Sequence, residues 1–151
     1  MPPLSIETHD GHPPEASAVV DQGLGDFNDQ AAPLHEVQRL SCFVRDDAGR
    51  VVGGALGRRW GRLCELQQLW VSDAHRGQGL GTRLIQAFER HAADRGCTSF
   101  YLETLSFQAP AFYEKLGYRV LLARQGYPHG IGKYHMGKDT AAGAGGSAPG
   151  Q

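Results

Sequence analysis

The chain has 151 residues, with 15 lysines and arginines against 16 aspartates and glutamates. This length predicts one domain with its own hydrophobic core, and the nearly balanced charge offers no basic surface for nucleic acid, which leaves a small molecule as the expected partner. The odd cysteine count favours buried free thiols over a disulfide framework, with catalytic thiol chemistry as the weaker alternative, for Cys42, Cys64 and Cys97.

Neither a secretory signal nor a membrane span is evident in the sequence. The first ten residues lack a basic region followed by an apolar run, and no segment approaches the ~20 apolar residues of a membrane helix. We therefore expect a cytoplasmic protein with no membrane partner. Residues 141–151 are small and uncharged, a composition that does not offset the entropy of ordering. We expect one folded domain over residues 1–140, followed by a flexible tail.

The first predicted elements are a short strand and a helix. Residues 4–8 alternate apolar and polar side chains, which is typical of a strand. Two prolines and an acid at residues 13–15 open a helix that is expected to end near residues 25–28. The apolar face of this helix consists of Ala16, Val20, Gly23, Leu24 and Phe27.

Three strands of an antiparallel meander follow. From residue 40 the pattern changes to an alternation with a period of two, and a hairpin turn is predicted at residues 47–49. The returning strand covers residues 51–61. After a second turn, the third strand covers residues 63–72.

A long amphipathic helix then begins at residue 80 and closes at Gly96. The stripe predicted to face the sheet consists of Leu80, Leu84, Ile85, Phe88 and Ala92. The opposite, polar side is predicted to carry Arg83, Gln86, Glu89, Arg90 and Asp94. A strand, a short helix and two closing strands complete the predicted order, over residues 99–105, 110–117, 118–126 and 133–139.

A glycine-rich loop joins the third strand of the meander to this long helix, with the sequence LWVSDAHRGQGLGT over residues 69–82. Glycine supplies unusual dihedral angles and close backbone approach, so three glycines in five residues are typical of an anion-binding loop. A Walker loop would need Lys after the last Gly, and a dinucleotide fingerprint would need its third Gly one place later. A plain strand-to-helix turn is the alternative interpretation.

The pattern Arg-x-x-Gly-x-Gly, formed by Arg76, Gly79 and Gly81, resembles the acetyl-CoA pyrophosphate loop of the GNAT superfamily of N-acetyltransferases. A second signature, SFQAPAFYEKLGY over residues 106–118, is similar to the strand, turn and helix of the same family. With both motifs in order, the resemblance covers residues 6–138 and points to a small bacterial single-domain member. It implies an α/β (mixed α+β) fold with a mixed, mostly antiparallel sheet of six to seven strands flanked by about four helices.

The resemblance also implies an activity, namely transfer of the acetyl group of acetyl-CoA to a primary amine of a small molecule, by direct transfer in a ternary complex. We also expect no metal, and a monomer or homodimer. Two alternatives stay open, because one fold hosts several functions. One is a non-catalytic acyl-CoA sensor or interaction module that binds coenzyme without turnover, and the other is a structural protein that does not bind coenzyme.

For the coenzyme, the resemblance implies that the strand through residues 69–71 splays away from the later strand near residues 102–104, so that pantetheine inserts between them. Backbone N–H groups of Leu69 and Val71 would then hold pantetheine and polarise the thioester, although residues 69–71 also suit an apolar core strand. Ser106 stands where relatives carry Asn. The predicted coenzyme residues are Leu69, Trp70, Val71, Arg76, Gly77, Gln78, Gly79, Leu80, Gly81, Thr82 and Ser106.

The predicted general base is Glu65, a carboxylate among apolar strand residues that needs a reason to be there. Period-two alternation puts Glu65, Gln67 and Leu69 on one side of the strand. By spacing, Glu65 also matches the glutamate that serves as base in the histone-type branch of the family. The alternatives are an exposed or ion-paired carboxylate near Arg62, or Glu103 as a weaker candidate base.

The predicted general acid is Tyr113, which occupies the place of the tyrosine that many members use to protonate the coenzyme thiolate. Phe112 and Leu116 form an i, i+4 pair that is expected to face the core, which turns Tyr113 toward the cleft. A core tyrosine with a satisfied hydroxyl is the alternative. Candidates for lining the acceptor pocket are His129, Tyr134 and His135, and no residues show metal-ligand spacing.

Overall fold

The computed structural model describes residues 2–140, so the tail predicted at residues 141–151 lies outside the described residues. The chain falls into two compact units, Met1–Glu36 and Val37–Gln151. None of the helices in residues 2–140 combines the length and apolarity needed to cross a membrane.

The first unit contains one helix, α1, at Pro14–Ala31, and a short 3-10 turn at Leu34–Glu36. The helix continues past the predicted end at residues 25–28. It stops at Ala31 because Ala32 precedes Pro33 and is held in an extended conformation, with φ −155° and ψ 151°. The strand predicted at residues 4–8 is wrong. Leu4 and Ile6 are 94% and 95% exposed, so their alternation buries nothing that would stabilise a strand.

Up to residue 140, the second unit consists of a six-stranded sheet and two α-helices. The strands are β1 Gln38–Arg45, β2 Val51–Trp60, β3 Leu63–Val71, β4 Ser99–Leu105, β5 Arg119–Arg124 and β6 Lys133–Asp139, and the helices are α2 Leu80–Ala93 and α3 Pro110–Lys115. Their spatial order is β1-β2-β3-β4-β6-β5.

Among the six strands of residues 2–140, only the pair β3 and β4 runs parallel, and all other neighbours are antiparallel. The predicted fold class, α/β with a mixed and mostly antiparallel sheet, is therefore confirmed. Residues 2–140 hold six strands and three α-helices, one helix fewer than about four.

Helix α2 packs its apolar stripe on one face of the sheet, here called the α2 face. Of the stripe predicted from the sequence, Leu84, Ile85, Phe88 and Ala92 are buried, while Leu80 at the start of the helix is partly exposed. The helix approaches β2 closely at Gly57, where an added Cβ would lie 2.6 Å from the Phe88 ring. The opposite face of the sheet is called the outer face.

Glu89 does not lie on a solvated side of α2, contrary to the sequence prediction. Its carboxylate is mostly buried and accepts hydrogen bonds from Tyr118 and Lys138. These two donors come from segments much later in the chain, which a helical periodicity does not reveal.

The three cysteines are free thiols, and Cys64 and Cys97 are buried while Cys42 is partly exposed. Burial raises the pKa of Cys64 to about 12. A thiol that stays protonated is a poor nucleophile, so Cys64 is a core residue.

Candidate active site

A cleft opens in the sheet between the two parallel strands. β3 and β4 pair only from Leu63 opposite Ser99 to Leu66 opposite Leu102. Immediately beyond, Gln67 forms a β-bulge, because Leu66 and Gln68 oppose the adjacent residues Gly57 and Leu56 of β2. A bulge bends its strand and interrupts pairing. The splay that was expected at residues 69–71 is therefore present and begins at the bulge.

Backbone amides of β3 face this cleft. Ser72 donates its N–H to the carbonyl of Val52, 2.8 Å away on β2. Because hydrogen-bonded and non-hydrogen-bonded pairs alternate along antiparallel strands, the N–H groups of Val71 and Leu69 point to the opposite side, toward the cleft. Trp70 lies opposite Gly54 of β2, and the N–H of Trp70 points toward β2. The structure thus brings the amides of Leu69 and Val71 to the cleft, but not that of Trp70.

The glycines of the loop have different physical roles. Gly77 and Gly79 have φ of 78° and 77°, a region that other residues rarely adopt. An added Cβ at either position would meet nothing within 4 Å, so backbone conformation rather than space favours glycine there. At Gly81 the reason is space, since a Cβ would lie 3.2 Å from the ring of Phe112.

The first turn of α2 is a candidate anion site. The N–H groups of Leu80, Gly81 and Thr82 have no intrahelical acceptor, and neither a side-chain cap nor an acidic residue occupies this turn. The first N–H of the helix to find an acceptor is that of Arg83, 3.1 Å from the carbonyl of Gly79. Free amides at the positive end of a helix dipole suit a phosphate.

An open cavity of about 230 Å³ lies at this turn. Most of the predicted coenzyme residues line it, together with two that the sequence did not single out: Val71, Arg76, Gly77, Gly79, Leu80, Gly81 and Thr82, with His75 and Phe112.

His75 and Arg76 are both held by neighbouring groups. The Nδ1 atom of His75 is 2.7 Å from the hydroxyl of Ser72. Arg76 donates from Nε to the carbonyl of Val71 at 3.1 Å and pairs with Asp73 at 2.8 Å. The only sequence signal for His75 was its position directly before Arg76.

Four predicted coenzyme residues lie apart from this cavity, namely Leu69, whose N–H faces the cleft, and Gln78, Trp70 and Ser106. The side chain of Gln78 is exposed, and that of Trp70 lies on the outer face beside Gly54. The hydroxyl of Ser106 accepts a hydrogen bond from the N–H of Gly132 at 3.0 Å, and the backbone N–H of Ser106 donates to the Gly132 carbonyl at 2.8 Å. Ser106 therefore closes the end of the β4 and β6 pair.

Tyr113 is the buried residue of α3, with 9% of its surface exposed. The prediction that Tyr113 turns away from the core is wrong, because its ring is part of the core. Phe112 and Leu116 pack against the core as predicted, and Phe112 also lies beside Gly81 at the loop cavity. The Tyr113 ring makes edge-to-face contacts with Phe112 at 5.1 Å and with Tyr118 at 6.0 Å.

The hydroxyl of Tyr113 has no hydrogen-bond partner within residues 2–140. No fully buried side-chain oxygen in this range lacks a partner, so this hydroxyl reaches solvent at the edge of the core. Burial raises the pKa of Tyr113, which keeps its proton in place at neutral pH.

Glu65 lies on the outer face, across the sheet from the loop cavity. The expectation that Glu65, Gln67 and Leu69 share one side is wrong, because the bulge at Gln67 inverts the alternation. The carboxylate pairs with Arg58, its neighbour on β2, at 2.9 Å. The carboxylate is thus ion-paired, as one of the alternatives expected, but with Arg58 and not with Arg62.

A polar cluster surrounds Glu65 two residues before the bulge. Tyr101 lies opposite Glu65 on β4, and the ring of His135 stacks on Tyr101 at 5.6 Å. Burial first, and then the charge of Glu65, raise the pKa of Tyr101. Glu103 is exposed beside His135.

The other acceptor-pocket candidates lie elsewhere. Tyr134 packs against the core on the α2 face, and His129 is exposed in a 3-10 turn. Within residues 2–140, no three His, Cys, Asp or Glu side chains are grouped so as to hold a metal ion.

The model of the acetyltransferase (GNAT) family matches residues 7–118. The chain belongs to the GNAT family. It is 36% identical over 111 residues to blasticidin-S acetyltransferase of Streptomyces morookaense. The aligned segment covers 73% of this chain and 79% of that protein. This GNAT acetyltransferase is thus an acyltransferase enzyme, from a family whose acyl donor is acetyl-CoA.

Solved structures share the GNAT fold of this acetyltransferase. An acetyltransferase from Bacillus cereus superimposes with a TM-score of 0.72 and 26% identity, over 89% of this chain and 97% of that one. An aminoglycoside 6'-N-acetyltransferase solved with coenzyme A has a TM-score of 0.58 and 24% identity, over 68% and 73%. At that identity the second likeness shows the fold alone.

Proposed function

We propose that this GNAT acetyltransferase moves the acetyl group of acetyl-CoA to a primary amine of a small molecule, directly and in a ternary complex. The observation that carries the proposal is the cleft between β3 and β4, with the amides of Leu69 and Val71 on its edge and the anion site of α2 at its mouth. A diphosphate and a peptide-like pantetheine arm are complementary to these two features.

The loop supports coenzyme binding through backbone groups. The amides from Leu80 to Thr82 suit the pyrophosphate, while the helix dipole supplies positive charge without a lysine. On the cleft edge, the N–H of Val71 is a donor for the thioester oxygen. A preorganised donor of this kind typically contributes ~100- to 1000-fold to the rate.

Two proton transfers accompany the step. The amine nitrogen attacks the carbonyl carbon, and the carbon–sulfur bond breaks. We assign the proton lost by the amine to Glu65, and the proton gained by the thiolate to Tyr113. The hydroxyl of Tyr113 supports the second assignment, because it is partly solvated and free to donate. Burial raises the pKa of Tyr113, which makes it a weaker acid.

The weaker of these assignments is Glu65, because its carboxylate is already engaged in an ion pair with Arg58. Its position supports the role. It lies on the outer face just before the strands part, beside the ring pair of Tyr101 and His135.

A panel of small primary amines tests the proposal, with release of free CoA thiol and the mass of the product as readouts. Blasticidin S belongs in the panel because of the name of the Streptomyces relative. N-acetylation of at least one amine is the expected result. Tight acetyl-CoA binding with no acceptor in the panel would instead favour the non-catalytic acyl-CoA sensor.

A further inference from the structure

An ion pair and three further polar contacts lie behind Tyr113, where α2, the end of α3 and β6 meet. Glu89 accepts the Lys138 ammonium on Oε1 at 2.8 Å and the Tyr118 hydroxyl on Oε2 at 2.7 Å. Lys138 also donates to the carbonyl of Leu116 at 2.8 Å and lies 5.0 Å over the Tyr118 ring. We call Glu89, Tyr118 and Lys138 the Glu89 cluster.

The Glu89 cluster is shielded from water. The side chains of Glu89 and Lys138 are only 15% and 20% exposed, and Tyr118 is buried. Burial, followed by the Glu89 charge, strongly raises the pKa of Tyr118, so its hydroxyl stays a donor. Removing one partner leaves another partly buried charge unpaired, which costs far more than breaking a surface ion pair.

The contact with Leu116 fixes the end of α3. This helix spans only Pro110–Lys115, too short to be stable by itself. A lysine ammonium at the last carbonyls satisfies an acceptor that the helix leaves free and complements the helix dipole. The N–H of Tyr118 returns to the carbonyl of Tyr113 at 3.1 Å, which closes the same end.

The cluster also bears directly on the Tyr113 ring. The rings of Tyr113 and Tyr118 meet edge to face at 6.0 Å, while Phe112 contacts Tyr113 from within α3. Glu89 and Lys138 hold Tyr118 from two sides. Tyr118 therefore cannot turn without breaking the cluster, and it limits how Tyr113 can turn.

We propose that the Glu89 cluster is a positioning device for Tyr113, and that Lys138 and Glu89 act on the coenzyme sulfur only through the orientation of the Tyr113 hydroxyl. This inference rests on the acid role proposed above for Tyr113. It gives three residues outside the cleft a part in the reaction.

The test uses CoA itself and needs no acceptor amine. The ultraviolet absorbance of the thiolate, followed against pH in the binary complex, gives the pKa of the bound thiol. A hydroxyl that donates to the thiolate lowers this pKa. Tyr113→Phe should raise the acid dissociation pKa of the bound thiol by ~1, and Lys138→Met should produce part of the same rise. Lys138→Arg should keep the pKa of the bound thiol at its wild-type value.

A matched control is Lys115→Met, which removes a lysine from the last turn of α3. Lys115 is exposed, and the side-chain donor to the Leu116 carbonyl is Lys138, not Lys115. Its loss should leave the thiol pKa unchanged. If Lys138→Met fails to fold, Tyr118→Phe serves instead, because it keeps the ring against Tyr113 and removes only the bond to Glu89.

The decisive comparison is the double variant. If Lys138 acts through Tyr113, adding Lys138→Met to the Tyr113→Phe variant has no effect on the pKa of the bound thiol, although the thermal stability of the protein still falls. Equal effects in both backgrounds would overturn the positioning role and leave the acid role intact. An unchanged thiol pKa in Tyr113→Phe alone would overturn both. Neither outcome depends on whether an acceptor amine has been found.

Discussion

Gly79 offers a test in which charge is separated from shape. It lies at φ 77° and ψ 11° directly before α2, and an added Cβ would meet nothing within 4 Å. Asn and Asp are the residues other than glycine that most readily adopt this conformation. Gly79→Asn and Gly79→Asp are thus nearly identical in shape and strain, and they differ by one negative charge.

The size of the difference follows from Coulomb's law. A carboxylate ~6 Å from a single phosphate charge is repelled by ~0.7 kcal/mol in bulk water and by ~3 kcal/mol at an effective dielectric constant of ~20. For an exposed loop the lower part of this range applies. With two phosphate charges nearby, we expect Gly79→Asp to bind acetyl-CoA ~10- to 100-fold more weakly than Gly79→Asn.

Calorimetric titration with acetyl-CoA at two salt concentrations measures this difference. The gap between the variants should narrow at high salt because ions screen exposed charges. Acetyl-pantetheine, which lacks the pyrophosphate, should bind both variants alike. Thermal unfolding should also be similar, since both share the same strain. Equal acetyl-CoA affinities for the two variants would refute the assignment of the α2 anion site to the pyrophosphate.

Three further outcomes can be checked on the same protein. Tyr113→Phe should lower kcat ~10- to 100-fold with little change in acetyl-CoA affinity, since a general acid acts in the transition state. Steady-state kinetics and calorimetry measure the two quantities. A kcat equal to that of the wild type would remove Tyr113 from the mechanism. Glu65→Gln should lower kcat by ~100-fold at neutral pH and by less at high pH, where the amine is already neutral. The control variant Arg58→Met should leave substantial turnover. A Glu65→Gln defect that is constant from neutral to alkaline pH would assign Glu65 a structural role. A thiol reagent should modify Cys42 ahead of Cys64 and Cys97 in the native protein, because Cys64 and Cys97 are buried while Cys42 is partly exposed. Burial raises the pKa of all three thiols, to about 12 for Cys64, which slows their reaction. Rapid labelling of Cys64, located by mass spectrometry, would contradict the description of the core.

The sheet and the loop could be predicted because their signals are local. Strands β4 and β6 have the bounds that alternation and turn residues indicate, at Ser99–Leu105 and Lys133–Asp139. The glycines at 77 and 79 adopt the positive φ that only glycine tolerates well. In each case the residues that carry the signal are also the ones that adopt the structure.

The cleft was harder to predict, because its geometry depends on a bulge. Two adjacent glutamines, Gln67 and Gln68, break the alternation of β3 and are the sequence signal that was available. Strict alternation carried through them placed Glu65 on the wrong side. A single extra residue inverts every side chain beyond it.

Side-chain orientations set by distant partners could not be predicted at all. Tyr113 lies in the core, and Phe112 packs against that core beside Gly81, a contact between α3 and the start of α2. Glu89 is buried because Tyr118 and Lys138 reach it from the far end of the chain. Helical periodicity describes neither relation.

The most direct test of the central claim, that acetyl-CoA reacts in the cleft between β3 and β4, is a crystal structure of the protein with CoA. We predict that the pantetheine arm lies between the parted strands within hydrogen-bond distance of the N–H groups of Leu69 and Val71. The pyrophosphate should lie on the first turn of α2, with the sulfur next to the Tyr113 hydroxyl. A coenzyme bound elsewhere, with the cleft empty, would contradict the account.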